Sequence, residues 1–294
     1  MSTKIKIPEV QELFDAGVHL GHSVRKWHPK AAPFIYTAKK GIHITNLEKT
    51  HELLKEAADF LYEIGKKQGQ VIFVGTKRQI SEMIKLEAQN IGALSVSERW
   101  LGGTITNFSV IRERIDRLVK MRRETKDGTY DKYTKKERLL LDRDMGKLEA
   151  SVGGLVGLKG LPAALVVIDA HREKTAVREA QKRHVPVVAL VDTDTNPEPI
   201  DYPVPGNDDA IKSISLIVRT LTSALEKGYE EGKKLAEKSE EKVEERKPAE
   251  KKPSDEKEEV KEKEKTKVEA KEEKTKEKVA EPKKEKETKK KPVK

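Results

Sequence analysis

Cysteine is absent from the 294 residues, which excludes a disulfide framework and any thiolate metal site and fits a reducing compartment. Long apolar runs are absent too. No stretch approaches the roughly 20 apolar residues needed to span a bilayer, and Met1 to Pro8 lacks the apolar segment of a signal peptide. A soluble cytosolic protein with no membrane partner is therefore expected. Aromatic residues make up only 4% of the chain, so each tryptophan is worth locating. A chain of this length suits one α/β core with extras.

Charge is what the chain has in excess. Its net charge of +10 favours a polyanionic partner. From Lys233 onward there are 24 basic and 19 acidic residues, with no aromatic ring and only isolated apolar residues. Such a polyampholyte cannot bury enough apolar surface to offset its ordering entropy. Pro248, Pro253, Pro282 and Pro292 would interrupt any long helix in it. Residues 233–294 are expected to be a disordered, solvating tail.

In the body, continuous apolar runs at Val71–Val74, Ala164–Ile168 and Val185–Val191 alternate with amphipathic stretches at Glu48–Lys66, Arg78–Asn90, Glu173–Lys182 and Asp209–Gly228. Strands that are apolar on both faces belong to a parallel sheet covered by helices on each side. A three-layer α/β/α sandwich follows, over residues 1–105 and 159–232, with Gly65, Gly92 and Gly228 near the helix ends. Phe34–Thr37 and Ile42–Thr45 read as a hairpin across Lys39-Lys40-Gly41.

Residues 106–158 break the rhythm and look inserted. Phe108, Ile111, Ile115 and Leu118, then Leu141, Met145, Leu148, Val152 and Leu155, follow heptad spacing. Lys126-Asp127-Gly128-Thr129 makes a turn, and Thr134 with Glu137 makes a capping box. The product is an antiparallel coiled-coil hairpin, with Arg112, Arg114, Arg117, Lys120, Arg122 and Arg123 on or beside the outer faces of its first helix.

An enzyme of this architecture would place its chemistry at the carboxyl ends of the strands. Those loops read Gly75-Thr76-Lys77-Arg78, Asp169-Ala170-His171-Arg172 and Asp192-Thr193-Asp194. The first has neither Walker nor dinucleotide-binding spacing. The aspartates are ordinary turn and cap residues, although with His171 they could in principle hold Mg²⁺ or move a proton. His19 and His22 with His28 beyond have ligand-like spacing but lack a further donor. No nucleophile elbow is present. No catalytic residue, cofactor or metal is assigned.

Nucleic acid is the better partner because cations, flat rings and glycines coincide. Arg25, Lys26, Trp27, His28 and Lys30 place phosphate-binding cations around an indole and an imidazole. Arg99 and Trp100 before Gly102-Gly103 repeat the combination. Each indole either stacks on a base or anchors its loop, with anchoring the stronger reading for Trp100. The RNA-binding candidates are these residues together with Arg112, Arg114, Arg117, Arg122 and Arg123.

The run Leu13 to His22, continuing through Trp27-His28-Pro29-Lys30 to Phe34-Ile35-Tyr36 and Gly41-Ile42-His43, closely resembles the family of the second protein of the bacterial small ribosomal subunit. Arg99 to Phe108 and Pro162 to Asp169 agree, as do Glu173, Glu179, Val185-Pro186-Val187 and Asp192-Thr193-Asp194. The resemblance covers Val10 to about Gly228 and leaves out the tail. It implies a flavodoxin-like domain carrying a coiled-coil hairpin, without catalytic activity. It also implies binding to small-subunit rRNA at the junction of head and body. The implied protein partners are neighbouring small-subunit proteins, including the large mRNA-binding protein built of OB-fold repeats, whose recruitment serves translation initiation. No homo-oligomer is expected.

Overall fold

The computed structural model describes residues 5–244, with side chains as far as Leu235. Its elements are helix α1 (Val10–Asp15), strands β1 (Leu20–Ser23), β2 (Ile35–Lys39) and β3 (Ile42–Thr45), helix α2 (Leu47–Lys66), β4 (Val71–Val74), α3 (Ser81–Asn90) and β5 (Leu94–Val96). Helices α4 (Phe108–Lys126) and α5 (Lys135–Val152) follow, then β6 (Ala164–Ile168), α6 (Lys174–Lys182), β7 (Val187–Val191), β8 (Tyr202–Pro205) and α7 (Ile211–Glu244). Five strands form an all-parallel sheet in the order β5-β4-β6-β7-β8. The order reverses between β4 and β6, which is where a doubly wound sheet opens its crevice.

Strand side chains alternate between two cores. Val71, Phe73, Val166, Ile168 and Leu190 pack with the apolar faces of α2, α3 and α7. Ile72, Val74, Leu165, Val167 and Ala189 pack with α6 and with the roots of α4 and α5. Ile111, Ile115, Leu118, Val152 and Leu155 all belong to this second core, so the helical pair is rooted in the sheet as well as on itself. The pair runs antiparallel: Arg122 faces Glu149 and Thr125 faces Met145. Gly128 at φ 68° makes the turn, and the Thr134–Glu137 capping box starts α5.

The hairpin forms as read, with Lys40 and Gly41 both at positive φ, and β1 joins it in a small antiparallel sheet ordered β1-β3-β2. Two other elements escape pattern reading. Strand β8 carries Pro203 and Pro205, tolerated because it lies at the sheet's edge, where a missing N–H breaks no ladder. Strand β5 has only three residues.

Gly228 does not end a helix. Helix α7 continues past it and past Lys233 to Glu244, so the first part of the expected tail is helical, and the remainder lies outside the described residues. A Cβ on Gly228 would stand 2.4 Å from the Tyr62 carbonyl oxygen, and one on Gly65 2.6 Å from that of Leu225. The two glycines let the backbones of α2 and α7 touch. Alanine is favoured over glycine inside a helix by about 1 kcal/mol, but overpacking against backbone costs about 1–3 kcal/mol or more. Gly228→Ala is therefore expected to lower stability by about 1–2 kcal/mol. Gly146→Ala in α5, where nothing lies within 4 Å, should raise it. Equal shifts in urea midpoint for the two variants would refute the packing role.

Candidate nucleic-acid interface

The segment from β1 to β3 is fastened to the carboxyl end of β7. The backbone N–H groups of His22 and His28 donate to Thr193 Oγ1 and Thr193 O at 2.9 and 2.8 Å. Gly21 is required here, since a Cβ would come 2.7 Å from Thr193 Cγ2. His22 Nδ1 lies 3.0 Å from Asp192 Oδ2. That contact outweighs the opposing pull of burial and, helped by Asp194 and Asp208, raises the His22 pKa to about 9, so the imidazole is a cation at neutral pH.

Lys77 fills the crevice at the switch point. Its ammonium lies 3.0 Å from Asp169 Oδ2, 2.9 Å from Asp208 Oδ1 and 3.0 Å from Asp209 Oδ1, and donates to the Asp208 carbonyl at 2.8 Å. The Gly75-Thr76-Lys77-Arg78 loop thus turns its lysine inward, and α3 begins at Ser81 instead of Arg78. Burial and the neighbouring Asp169 push the Asp208 pKa up to about 7 against the lowering pull of Lys77. Asp169 and Asp192 accept from the Arg172 and Thr193 amides within turns, and neither caps a helix, since the N-cap of α6 is Glu173. The one group among the described residues with cation-ligand geometry is His22, Asp208 and Asp209, whose ligand atoms lie within 4.8 Å of one another. Two of its three carboxyl-bearing or imidazole side chains already serve Lys77.

On the outer side of the segment, Arg25 and Lys26 are exposed, with no ion-pair partner among the described residues. Trp27 is 38% exposed and tilts over buried His43 at 5.4 Å between ring centroids, so one ring both anchors the loop and offers a face. His28 is half-buried and accepts from the Lys30 amide through Nδ1. The Lys30 ammonium is engaged by Glu198.

Trp100 is not a surface ring. It is 7% exposed within the second core, and its indole N–H donates to Glu179 Oε1 at 3.3 Å. No base can stack on it, so the expected RNA contact gives way to a loop anchor. Its neighbour Arg99 is exposed. Along α4, Arg112, Arg114 and Arg117 are exposed and unpaired among the described residues. Arg122 is held by Glu149 through Nε and Nη2 at 3.0 and 2.6 Å, and Arg123 lies 3.6 Å from Asp127.

The family model described as "Ribosomal protein S2" matches residues 13–228. The chain belongs to the ribosomal protein S2 family. It is similar to "Small ribosomal subunit protein uS2" of Sorangium cellulosum, with 48% identity over 219 residues, covering 74% of this chain and 79% of that protein. The protein of the same name from Amoebophilus asiaticus is 47% identical over 218 residues, covering 74% of this chain and 70% of that one. The S2 family is structural and non-enzymatic, and its members are components of the small ribosomal subunit.

Every RNA-binding candidate from Arg25 to Arg123 lies inside the S2 match. No helix among the described residues is long and apolar enough to cross a membrane. The polar groups that order this S2 body, Lys77, Asp208, Glu173 and Glu179, carry no local signature. Their partners lie 73 to 132 residues away in sequence, so only a topology could have brought them together.

Proposed function

We propose that this S2-family protein binds small-subunit rRNA at the junction of head and body, and helps recruit the large OB-repeat mRNA-binding protein for translation initiation in the cytoplasm. The observation that carries the RNA reading is the set of exposed cations, Arg25 and Lys26 on the N-terminal segment and Arg112, Arg114 and Arg117 on α4, with no carboxylate partner among the described residues. Unpaired cations gain most from phosphate, because no internal ion pair has to be given up. Trp27 and His28, and the exposed Arg99, supply stacking and further charge. Arg122 and Arg123 contribute less, being partly neutralised by Glu149 and Asp127. Trp100 acts only through the loop it anchors.

In this reading the flavodoxin-like body, residues 1–105 and 159–232, is a rigid spacer. Residues 106–158 form the coiled-coil arm, and the chain from residue 233 is an extension. The protein partner is offered a groove of about 620 Å³ beside the small sheet, where Phe14, Leu20, Tyr36, Ile42 and Ile44 meet Lys39 and Glu48. Tyr36 is 75% exposed there, and apolar surface of this kind marks a protein contact.

Replacing Arg25 and Lys26 with Ala should weaken rRNA binding about tenfold and lower the slope of log K against log salt by about 1.5, at roughly 0.7–0.9 for each phosphate no longer neutralised. Adding Lys30→Ala should add little, since Glu198 already engages that ammonium. Filter binding between low and moderate salt reads both quantities. Unchanged affinity and slope would refute the reading.

A further inference from the structure

Helix α6 and its flanks, residues 171–184, carry five basic residues and two acids in sequence. The fold removes the acids. Glu173 is 6% exposed and accepts from the Thr76 hydroxyl. Glu179 is 7% exposed and accepts from the loop at Gly103 to Thr106. What remains outside, from residue 171 to 184, is cationic and polar: Arg172, Lys174, Arg178, Lys182 and Arg183 are all exposed, with no ion pair among the described residues. Two acids of the loop after β7 are engaged elsewhere, Glu198 with Lys30 and Asp194 with Thr195 and the two imidazoles of His22 and His171.

Beside this face lies a pocket of about 280 Å³ with an apolar floor of Ala170, Val177, Pro199 and Ile200. Lys174 and Arg178, four residues apart and hence on one side of the helix, stand at its rim with Gln181 and Asn196. Asn196 Oδ1 accepts from the Glu198 amide, and its amino group has no acceptor among the described residues. No acid lines the pocket.

We infer that the α6 face is a second rRNA contact in which this pocket holds one unstacked nucleotide, its base on the apolar floor and its phosphate between Lys174 and Arg178. The inference rests on the rRNA-binding reading above. Charge complementarity names a polyanion. A shallow apolar floor with amide groups at its edge suits the flat face and polar rim of a base, the way proteins take single-stranded nucleotides from RNA. An acidic peptide would use the cations and leave the floor empty.

The test uses the full chain and small-subunit rRNA, with two variants at exposed positions that leave the core intact. Lys174→Ala with Arg178→Ala should weaken binding about tenfold and reduce the salt slope by about 1.4, at roughly 0.7 per single-strand phosphate. Gln181→Trp, which lays a ring into the pocket and keeps both cations, should weaken binding about fivefold at unchanged slope. It should also expose to base-modifying reagents one nucleotide that the native protein protects. Native affinity and slope in the double variant, while Arg25→Ala with Lys26→Ala still loses binding, would overturn this contact and leave the first reading standing. Loss of a neighbouring protein from the reconstituted particle at unchanged rRNA affinity would assign the face to a protein and overturn it equally. Native protection in Gln181→Trp would remove the pocket.

Discussion

Glu179→Ala should lower the stability of the protein by about 3–5 kcal/mol, the cost of leaving buried donors without their charged acceptor. Its carboxylate accepts from the Gly103, Ile105 and Thr106 amides at 2.7, 3.1 and 3.2 Å, from the Thr106 hydroxyl at 3.2 Å and from the Trp100 indole at 3.3 Å. Burial alone would raise its pKa, but the backbone donors and Trp100 outweigh burial and hold it below the usual glutamate range. A depressed pKa stabilises the fold above the ordinary glutamate value, and the benefit is lost as pH falls through the depressed one. Native protein and variant should therefore converge in acid. Glu179→Gln keeps the shape but presents an amide N–H to one set of donors, so its loss should be intermediate. Urea midpoints measure the stability, and Trp100 emission moving to the red reports the loop opening. A loss under about 1 kcal/mol in the alanine variant would refute the anchoring role. The consequence reaches function because this loop leads into α4 at Phe108: once it is free, the arginines at 112, 114 and 117 lose their fixed place on the sheet.

How much of this was legible depends on how local each signal is. The apolar runs at Val71, Ala164 and Val187 gave the parallel sheet because a strand buried on both faces needs no partner to be recognised. The heptads from Phe108 and Leu141 and the Thr134–Glu137 box gave the helical pair for the same reason. Pro203 and Pro205 hid β8, since an edge position is a property of the sheet and not of the strand. Gly228 read as a terminus because the helix it crosses is some 160 residues earlier. The site divides in the same way. Arg25, Lys26 and the α4 arginines were visible as charge, and the structure leaves them exposed. Trp100 could be placed inside or outside only once Glu179 was found beneath it. The cationic face of α6 was understated, because a count that ignores burial sets Glu173 and Glu179 against its five basic residues.

The Lys77 cluster makes the same point in energetic terms. Lys77→Met should cost about 3–5 kcal/mol at neutral pH, because Asp169 and Asp208, 6% and 1% exposed, would lose the cation that compensates them. The deficit should depend on pH in a defined direction. Asp208 already titrates at about 7, above its ordinary value of 3.8, so its favourable contribution is complete in acid and is lost as pH rises through about 7. Without the ammonium its pKa rises further, so the deficit of the variant against the native protein should be smallest in acid and grow as pH rises through about 7. Lys77→Met combined with Asp208→Asn should recover part of the loss, since removing both charges is far cheaper than stranding one. The native protein has its own slope on the alkaline side. His22, raised to about 9 by Asp192, contributes fully below its ordinary value of 6.5, and that contribution disappears as pH passes 9. Melting midpoints from pH 5 to 9.5 for the native chain, His22→Ala and both Lys77 variants separate these effects. A Lys77→Met deficit constant across that range would show that the ammonium does not neutralise the buried acids. A native alkaline slope that persists in His22→Ala would show that the imidazole does not help fasten the N-terminal segment to β7, the segment on which Arg25 and Lys26 are carried.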